Sequence, residues 1–413
     1  MITVIGYDGA ALSAQARQRL ESAALVVGGT RQLGAVRPPA GARRIVMGDV
    51  SAALGEINAV HPPPPTRTTA RSPQDMGDLP DVVVLASGDP GFFGIVRALR
   101  ERGHDPEVLP AVSSVALAFA RAGLPWDDAL VVSAHGRELR RAVNACRAHP
   151  KVAVLTAPGA GPAELARELA PQTPRSFVVC EDLGGPDERV TRCRPAEATT
   201  RTWRHPNVVL VLDAGRVTGA KRWLAGAGPG PAGWALPESA FEHRNSVVTK
   251  AEVRAFALAR LGPRVGDLVW DIGSGSGSVA IECARFGAAV IAVERDAASC
   301  DRIRHNVRAH HVKVAVSRGD APAVLDHLPD PDAVFVGGGG PDVVAACAAR
   351  ALRSVVVALA AVERVRPSLD ALAAAGLTAD AVQLQANRLS ALPGDVHRLA
   401  AGNPVFVVWG TRE

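Results

Sequence analysis

A glycine-rich stretch in the second half of the chain restricts the possible folds more than any other segment. An apolar run, Leu268 to Trp270 with Ile272, is followed by glycines at every second position, Gly273, Gly275 and Gly277, and then by apolar residues at helical spacing. This order predicts a strand, a tight turn and the start of a helix. Glycine permits the sharp bend and lets a ligand come close to the backbone. The stretch therefore predicts an α/β domain with a ligand at this turn.

An acidic residue at the end of the next predicted strand supports a nucleoside ligand. The apolar run 288–293 ends in Glu294, twenty-three residues after Asp271, and an acidic residue at that distance typically binds the ribose hydroxyls. The dinucleotide pattern G-x-G-x-x-G is absent, because Gly277 follows Gly275 by two positions. The stretch instead resembles motif I of the Rossmann-like methyltransferases, which bind S-adenosylmethionine (SAM). The alternative is a tight turn without a ligand.

Length and composition indicate two or three globular domains. The chain has 413 residues, of which 47% are hydrophobic and 21% charged, as is usual for globular proteins. A net charge of +5 is too small to indicate nucleic-acid binding and is compatible with an anionic substrate. Six cysteines without a C-x-x-C pair predict free thiols. With no signal peptide and no apolar run long enough for a membrane span, we expect a cytoplasmic protein.

The apolar and glycine-rich segments predict two domains joined by a linker. Strands and helices alternate over residues 1–213, and residues 214–237, rich in glycine and proline, predict the linker. The second domain would span 238–413 and approach the seven strands of a Rossmann-like methyltransferase, the last one inserted antiparallel. Residues 55–80 are rich in proline and polar residues and predict a surface insertion. Apolar runs predict strands at 207–212, 333–336 and 354–359 and a helix over 251–261.

Several segments of the first half resemble the tetrapyrrole methylase family. Leu85-Ala-Ser-Gly-Asp-Pro-Gly-Phe-Phe-Gly94 is similar to that family's S-G-D-P-x-x-Y/F-G loop beside SAM. Pro110-Ala-Val-Ser-Ser-Val115 is similar to its P-G-x-S-S segment, and Ser133-Ala-His-Gly-Arg137 continues the pattern. The resemblance implies an α/β domain of two subdomains. It also implies SAM contacts at Gly88, Asp89, Ser113 and Ser114.

Two positions in the first half depart from the family pattern. Ala111 stands where the family usually has glycine, and the turn Gly6-Tyr-Asp-Gly9 is poorer in glycine and proline than the usual G-x-G-P-G. One alternative is therefore that the first domain binds no SAM and serves as a scaffold for the second.

The pair of domains resembles the precorrin-6Y C5,15-methyltransferase (decarboxylating) family of cobalamin biosynthesis. This resemblance implies C5 methylation by the first domain, and C15 methylation with decarboxylation of the ring C acetate by the second, giving precorrin-8X. It further implies two SAM sites per chain, no metal, a polycarboxylate tetrapyrrole substrate and a homo-oligomer. The cobalt-containing version of the same step is an alternative, and a tRNA methyltransferase is a more remote one.

Motif I and the family resemblance together supply the expected SAM contacts of the second domain. These residues are Thr249, Asp271, Gly273, Ser274, Gly275, Ser276, Gly277, Glu294, Asp320 and Ala321. SAM is an activated electrophile and the corrinoid meso carbons are enamine-like, so methyl transfer needs little beyond placement in a dry pocket. The sequence identifies no catalytic residue and no acid for the decarboxylation. Arg295, Arg302 and Arg304 are candidates for binding the substrate carboxylates.

Overall fold

The computed structural model describes residues 1–63, 79–170, 173–216, 224–226, 228, 230–244 and 248–412. Within these residues the chain forms three β-sheets with flanking helices and one separate β-hairpin. Two sheets belong to the first half of the chain, and the third sheet and the hairpin belong to the second half.

The first sheet is built from strands and helices that alternate from the N-terminus. Its elements are β1 (Ile2–Tyr7), α1 (Ala14–Glu21), β2 (Leu25–Gly28), α2 (Thr30–Val36), β3 (Arg43–Val46), α3 (Val50–Val60), β4 (Val82–Ser87), α4 (Ile95–Glu101) and β5 (Glu107–Leu109). The five strands are parallel and lie in the order β3-β2-β4-β1-β5. Helices cover both faces, so the central strands β1 and β4 are almost entirely apolar. The segments that follow β1 and β4 therefore lie side by side at one sheet edge.

Helix α3 extends further than the composition of this region predicts. Residues 55–60 lie in the stretch that we expected to be a surface insertion, but they continue the helix that Asp49 caps at its N-terminus. Leu54 is 3% exposed and Ile57 is fully buried, so this last turn packs into the core. Helical spacing of apolar residues thus outweighs the neighbouring prolines until Val60. Residues 64–78 of the predicted insertion lie outside the described residues.

The second sheet is mixed and belongs to a separate subdomain. Its elements are α5 (Ser114–Ala122), β6 (Leu130–Ser133), α6 (Leu139–Ala148), β7 (Lys151–Leu155), α7 (Pro162–Leu169), β8 (Ser176–Glu181), β9 (Arg189–Cys193), α8 (Pro195–Ala198) and β10 (Asn207–Leu212). The strand order is β6-β7-β10-β8-β9, and β6–β7 is the parallel pair of this sheet. Two sheets with separate cores confirm the two subdomains implied by the tetrapyrrole methylase resemblance.

The third sheet has seven strands. The elements of the second half are α9 (Ala251–Leu261), β11 (Leu268–Ile272), α10 (Ser278–Arg285), β12 (Ala289–Glu294), α11 (Ala297–Ala309), β13 (Ala315–Arg318), β14 (Ala333–Val336), α12 (Pro341–Arg350), β15 (Ser354–Leu359), α13 (Val365–Ala374), β16 (Thr378–Leu384), β17 (Arg388–Leu392), β18 (Val396–Ala400) and β19 (Val405–Thr411). The order is β13-β12-β11-β14-β15-β19-β16, and β19 is antiparallel to both of its neighbours. The predicted Rossmann-like sheet with an inserted antiparallel last strand is therefore confirmed.

The first domain contacts the amino edge of the third sheet. Two guanidinium nitrogens of Arg140 on α6 donate to the carboxylate of Asp332, which directly precedes β14. The side chain of Asn144 donates to the carbonyl oxygen of Gly266, which lies just before β11, at 3.1 Å. The glycine turn follows β11 and lies at the opposite, carboxyl edge. Both contacts therefore lie at the edge opposite the predicted ligand site.

The described end of the predicted linker is attached to the second domain. The amide of Leu236 donates to Glu282 on α10 at 2.7 Å, and Arg285 donates to the carbonyl of Gly233 at 2.9 Å. This segment leads into the chain that precedes α9. Positions 217–223, 227 and 229 of the predicted linker lie outside the described residues.

Candidate functional site

The glycine turn connects β11 to α10 through three left-handed residues. Gly273, Gly275 and Gly277 have φ angles of +69°, +59° and +78°, a region that other residues rarely adopt. A Cβ at Gly273 would lie 2.9 Å from the amide nitrogen of Gly338, whereas one at Gly275 would face open space. The turn therefore presents bare backbone to the space beside it, as a closely bound ligand requires.

Asp271 holds this turn from the interior. Its Oδ2 accepts hydrogen bonds from Ser274 Oγ at 2.7 Å and from the Ala280 amide at 3.0 Å. The residue is 1% exposed, and burial raises the pKa of its carboxyl to about 6. One donor lies in the turn and the other at the start of α10, so Asp271 determines the course of the backbone between β11 and α10.

Glu294 lies at the end of β12, next to the glycine turn. Its Oε2 accepts from the Gly275 amide at 3.0 Å, and its Oε1 accepts from the Asp296 amide at 3.0 Å. The backbone carbonyl of Glu294 accepts from the Gly319 amide at 3.1 Å, which places Asp320 and Ala321 beside it. Three of the four segments predicted around SAM therefore meet at one edge of the sheet.

A cavity of about 1130 Å³ opens at this edge. Six of the predicted residues line it, namely Thr249, Asp271, Gly273, Ser274, Gly275 and Ser276. The other four, Gly277 in the turn itself and Glu294, Asp320 and Ala321 beside it, are not part of the lining. The volume lies slightly above the range of roughly 300–1,000 Å³ for small-molecule sites. The cavity can accommodate a nucleoside-sized ligand together with part of a larger substrate.

One wall of this cavity comes from elements that the sequence did not identify. Arg388 of β17, Ala400 at the end of β18 and the segment 401–403 after it line the cavity beside α9. Arg388 at the start of β17 donates to Glu238 and Glu252, at distances between 2.8 and 3.2 Å. These hydrogen bonds from Arg388 lower the pKa of the Glu238 carboxyl to about 2. No local motif marks Arg388, because its partners lie more than one hundred positions away in the chain.

The arginines proposed as carboxylate ligands from the sequence lie elsewhere. Arg295, Arg302 and Arg304 do not line the cavity. Arg302 donates to Ser299 Oγ, and Arg304 pairs with Asp301 at 2.7 Å along the surface of α11. Arg302 and Arg304 lie on α11, and Arg295 lies between β12 and α11.

The raised pKa of Asp271 predicts that stability depends on pH. The native carboxyl binds a proton up to about pH 6 and the unfolded one up to its ordinary value of 3.8, so stability falls as pH rises through that interval. Two pKa units correspond to about 3 kcal/mol. Asp271→Asn should remove this dependence, since asparagine accepts the same hydrogen bonds without a charge. Urea unfolding at pH 4 and pH 7 should show the wild type losing up to about 3 kcal/mol relative to the variant, and parallel curves would contradict this assignment.

A second cavity, of about 580 Å³, lies between the two sheets of the first domain. Gly88, Asp89 and Ser114 of the predicted SAM contacts line it, whereas Ser113 does not. The Ser113 hydroxyl accepts from the Ala116 amide at 3.1 Å and so caps α5. Asp89 Oδ1 accepts from the Gly91 amide at 2.9 Å and thereby closes the loop after β4.

The two segments that depart from the family pattern are closely packed at this cavity. A Cβ at Gly6 would lie 2.3 Å from the carbonyl oxygen of Gly88 and 2.6 Å from the amide of Ala111. Ala111 fits because Gly6, its direct neighbour across the sheet edge, has no side chain. A Cβ at Gly9 would lie 1.6 Å from the carbonyl oxygen of Gly184, which belongs to the second subdomain. The turn from Gly6 to Gly9 is thus one of the places where the two subdomains touch.

The described residues offer neither a metal-binding cluster nor a membrane-spanning helix. No three or more His, Cys, Asp or Glu side chains in this part of the chain lie close enough together to hold a metal ion. Each helix within the same ranges is too short or too polar to cross a membrane. All six cysteines are buried free thiols.

Comparisons with known proteins agree with both halves of the chain. The family model "Tetrapyrrole (Corrin/Porphyrin) Methylases" matches residues 5–199, and the model "Precorrin methyltransferase domain" matches residues 239–410. A precorrin-6Y C(5,15)-methyltransferase [decarboxylating] from Sinorhizobium is 37% identical over 85% of this chain and 81% of its own length.

Two further proteins are similar to parts of the chain. A cobalt-precorrin-7 C(5)-methyltransferase from Salmonella typhimurium is 32% identical over 52% of this chain and 99% of its own length. The crystal structure of a precorrin-6Y C5,15-methyltransferase from Geobacter metallireducens covers 44% of this chain and 97% of its own, with 26% identity and a TM-score of 0.40. Similarity to the Sinorhizobium protein over 85% of this chain, together with the two matched domains, establishes that the chain belongs to the precorrin-6Y C5,15-methyltransferase (decarboxylating) family.

Proposed function

We propose that this chain methylates precorrin-6Y at C5 and C15 with two molecules of SAM and decarboxylates the ring C acetate, giving precorrin-8X. The observation that carries this proposal is the family membership of a chain that has one cavity lined by a glycine-containing loop in each of its two domains. A tetrapyrrole methylase domain gives no reason to expect an RNA substrate. The proposal therefore favours the tetrapyrrole over the tRNA alternative.

The two methylations are assigned to different domains, 1–213 and 238–413. The relative named for C5 methylation alone is similar to 52% of this chain, a share that fits the size of the first domain. The relative named for both carbons is similar to both halves. C15 methylation and the decarboxylation then belong to the second domain and its larger cavity.

The residues of the cavity in the second domain fit SAM. Bare backbone at Gly275, with the carboxylate of Glu294 beside it, fits a nucleoside bound against the turn. When bound, SAM supplies a methyl group already activated on a sulfonium. The chain has to orient it, exclude water and hold the substrate in line. Asp271 contributes by holding the turn in shape, and Thr249 by lining the cavity mouth.

The cavity in the first domain offers a second place for SAM. Gly88 adopts φ +61°, and a Cβ there would be as close as 3.0 Å to the amide of Ser114, so the loop after β4 packs tightly on the start of α5. Asp89 lines the cavity and can accept from the SAM amine. We infer that both cavities bind SAM and that neither requires a metal.

Mass spectrometry of the product from precorrin-6Y, SAM and the purified chain tests the function. We expect a gain of two methyl groups and the loss of one carbon dioxide. A parallel reaction with cobalt-loaded substrate distinguishes the two versions of the step, since the preferred substrate will react at the lower concentration. A product without any added methyl group from either substrate would refute the proposal.

Calorimetric titration with SAM tests the number of sites. Two SAM molecules per chain are expected, because each domain has its own cavity. A stoichiometry of one that is unaffected by substitutions in the cavity of the first domain would instead support a first domain that serves only as a scaffold. Asp89→Ala should lower the stoichiometry from two to one.

A further inference from the structure

The loop after β4 exposes two aromatic rings at the mouth of the cavity in the first domain. Phe92 is 38% exposed and Phe93 is 50% exposed, and both line the cavity. Their ring centroids are 4.9 Å apart, in an edge-to-face arrangement. Paired exposed rings beside a cavity indicate a surface that a ligand covers, because leaving this much apolar area in water is unfavourable.

The backbone of this loop adopts an unusual conformation that turns Phe93 outward. Phe93 has φ +54°, a region that bulky residues rarely occupy. The loop is closed around it, since the Phe92 amide donates to the Asp89 carbonyl at 3.2 Å. A Cβ at Gly94 would lie 2.2 Å from the carbonyl oxygen of Pro90, so the following residue is equally confined. The neighbouring residues therefore hold Phe93 in place.

An exposed guanidinium lies opposite, on the other subdomain. Arg137 follows β6 in the second sheet, lines the same cavity and is exposed. Its Cζ lies 5.6 Å from the centroid of the Phe93 ring. Among the described residues no carboxylate forms an ion pair with Arg137 within 4.0 Å, unlike Arg31, which pairs with Asp182 nearby. A cation over an exposed ring gains little, so Arg137 can exchange this contact for a stronger one.

We infer that Phe93 and Arg137 together bind the tetrapyrrole at the mouth of the cavity in the first domain. Phe93 packs against the flat conjugated macrocycle, and Arg137 forms a bidentate ion pair with one of its peripheral carboxylates. The two residues come from different subdomains, so the substrate bridges the cleft between them. This inference rests on the proposed function, because it takes the tetrapyrrole as the substrate of the first domain.

Substitutions of Arg137 test the ionic contact in the full-length chain. With precorrin-6Y as the varied substrate, Arg137→Gln should raise KM for C5 methylation roughly ten- to a hundredfold. Arg137→Lys should fall between Arg137→Gln and the wild type, because lysine keeps the charge without the planar fork. Arg97→Gln is the matched control, since Arg97 is an exposed arginine on α4 that does not line the cavity. It should leave KM unchanged.

Substitution of Phe93 distinguishes the contribution of its ring from that of its backbone conformation. Phe93→Asn removes the ring but suits a positive φ, and it should raise KM about three- to tenfold without reducing the binding of two SAM molecules. C15 methylation by the same chain is the internal control and should persist in every variant. The inference would be overturned if KM for Arg137→Gln stayed within about twofold of the wild-type value. It would also be overturned if either variant lost SAM binding without a change in KM. If the wild type itself methylates nothing, the proposed function fails instead.

Discussion

Replacing Asp271 with alanine should abolish C15 methylation while C5 methylation continues. The substitution leaves the Ser274 hydroxyl and the Ala280 amide buried without their acceptor, at a cost of about 1–3 kcal/mol each. The turn between β11 and α10 then loses the interaction that shapes it. A displacement of about 1 Å at a methyl-transfer site costs on the order of 100-fold in rate. Counting methyl groups by mass spectrometry should show a product with one methyl group instead of two.

Asp271→Asn is the matched control for this experiment. Asparagine retains an oxygen that can accept from both donors, so most of the C15 activity should remain. Glu294→Ala should act in the same direction as Asp271→Ala, because the Gly275 amide loses its acceptor. Loss of both methylations in Asp271→Ala, with the chain still folded by circular dichroism, would show that the two sites are not independent.

Replacing Gly6 with alanine should have the opposite effect: C5 methylation should be lost while C15 methylation continues. The new methyl group would lie 2.3 Å from the Gly88 carbonyl oxygen and 2.6 Å from the Ala111 amide. Both contacts are with backbone atoms, so the loop after β4 and the segment before α5 must separate. These two segments contribute Gly88, Asp89 and Val112 to the cavity of the first domain, and Ser114 lines it as the first residue of α5. C5 methylation should fall about 100-fold or more, and calorimetry should detect one SAM molecule per chain.

Gly34→Ala controls for the general effect of adding a methyl group. Gly34 lies in helix α2, its φ is not positive, and a Cβ added there would meet no other atom within 4 Å. Alanine at this position should be neutral or stabilising by up to about 1 kcal/mol. If Gly6→Ala retained full C5 activity, the close approach of Gly6 to Gly88 and Ala111 would not be required for function.

Local sequence patterns predicted the elements of the sheets well. The strands at 207–212, 333–336 and 354–359 and the helix over 251–261 have these bounds in the structure. Each is a buried apolar run or a helical repeat with a clear end, such as Gly262 after α9. The sequence prediction was wrong where two local signals conflict, namely helical spacing of apolar residues and nearby prolines. Helix α3 continues to Val60 beside a proline-rich segment because its apolar face is buried.

The hairpin of β17 and β18 illustrates what the local pattern cannot show. Its strands are short and exposed, and apolar side chains such as Leu389 and Leu399 lie on its surface without the alternation of a half-buried strand. Its role as a cavity wall follows from Arg388, which reaches Glu238 and Glu252 far away in the chain. Only the folded arrangement brings these charges together.

The glycine turn shows the same division within a single site. The sequence by itself determined the strand, the turn and the helix around Gly273, Gly275 and Gly277, because glycine spacing and apolar periodicity are local properties. Tertiary structure decided that Asp271 points inward to Ser274, that Glu294 lies beside the turn and that a distant hairpin completes the cavity. It likewise paired Gly6 with Ala111 and Phe93 with Arg137. Such contacts depend on strand order and on the packing of segments remote in sequence, which no local pattern specifies.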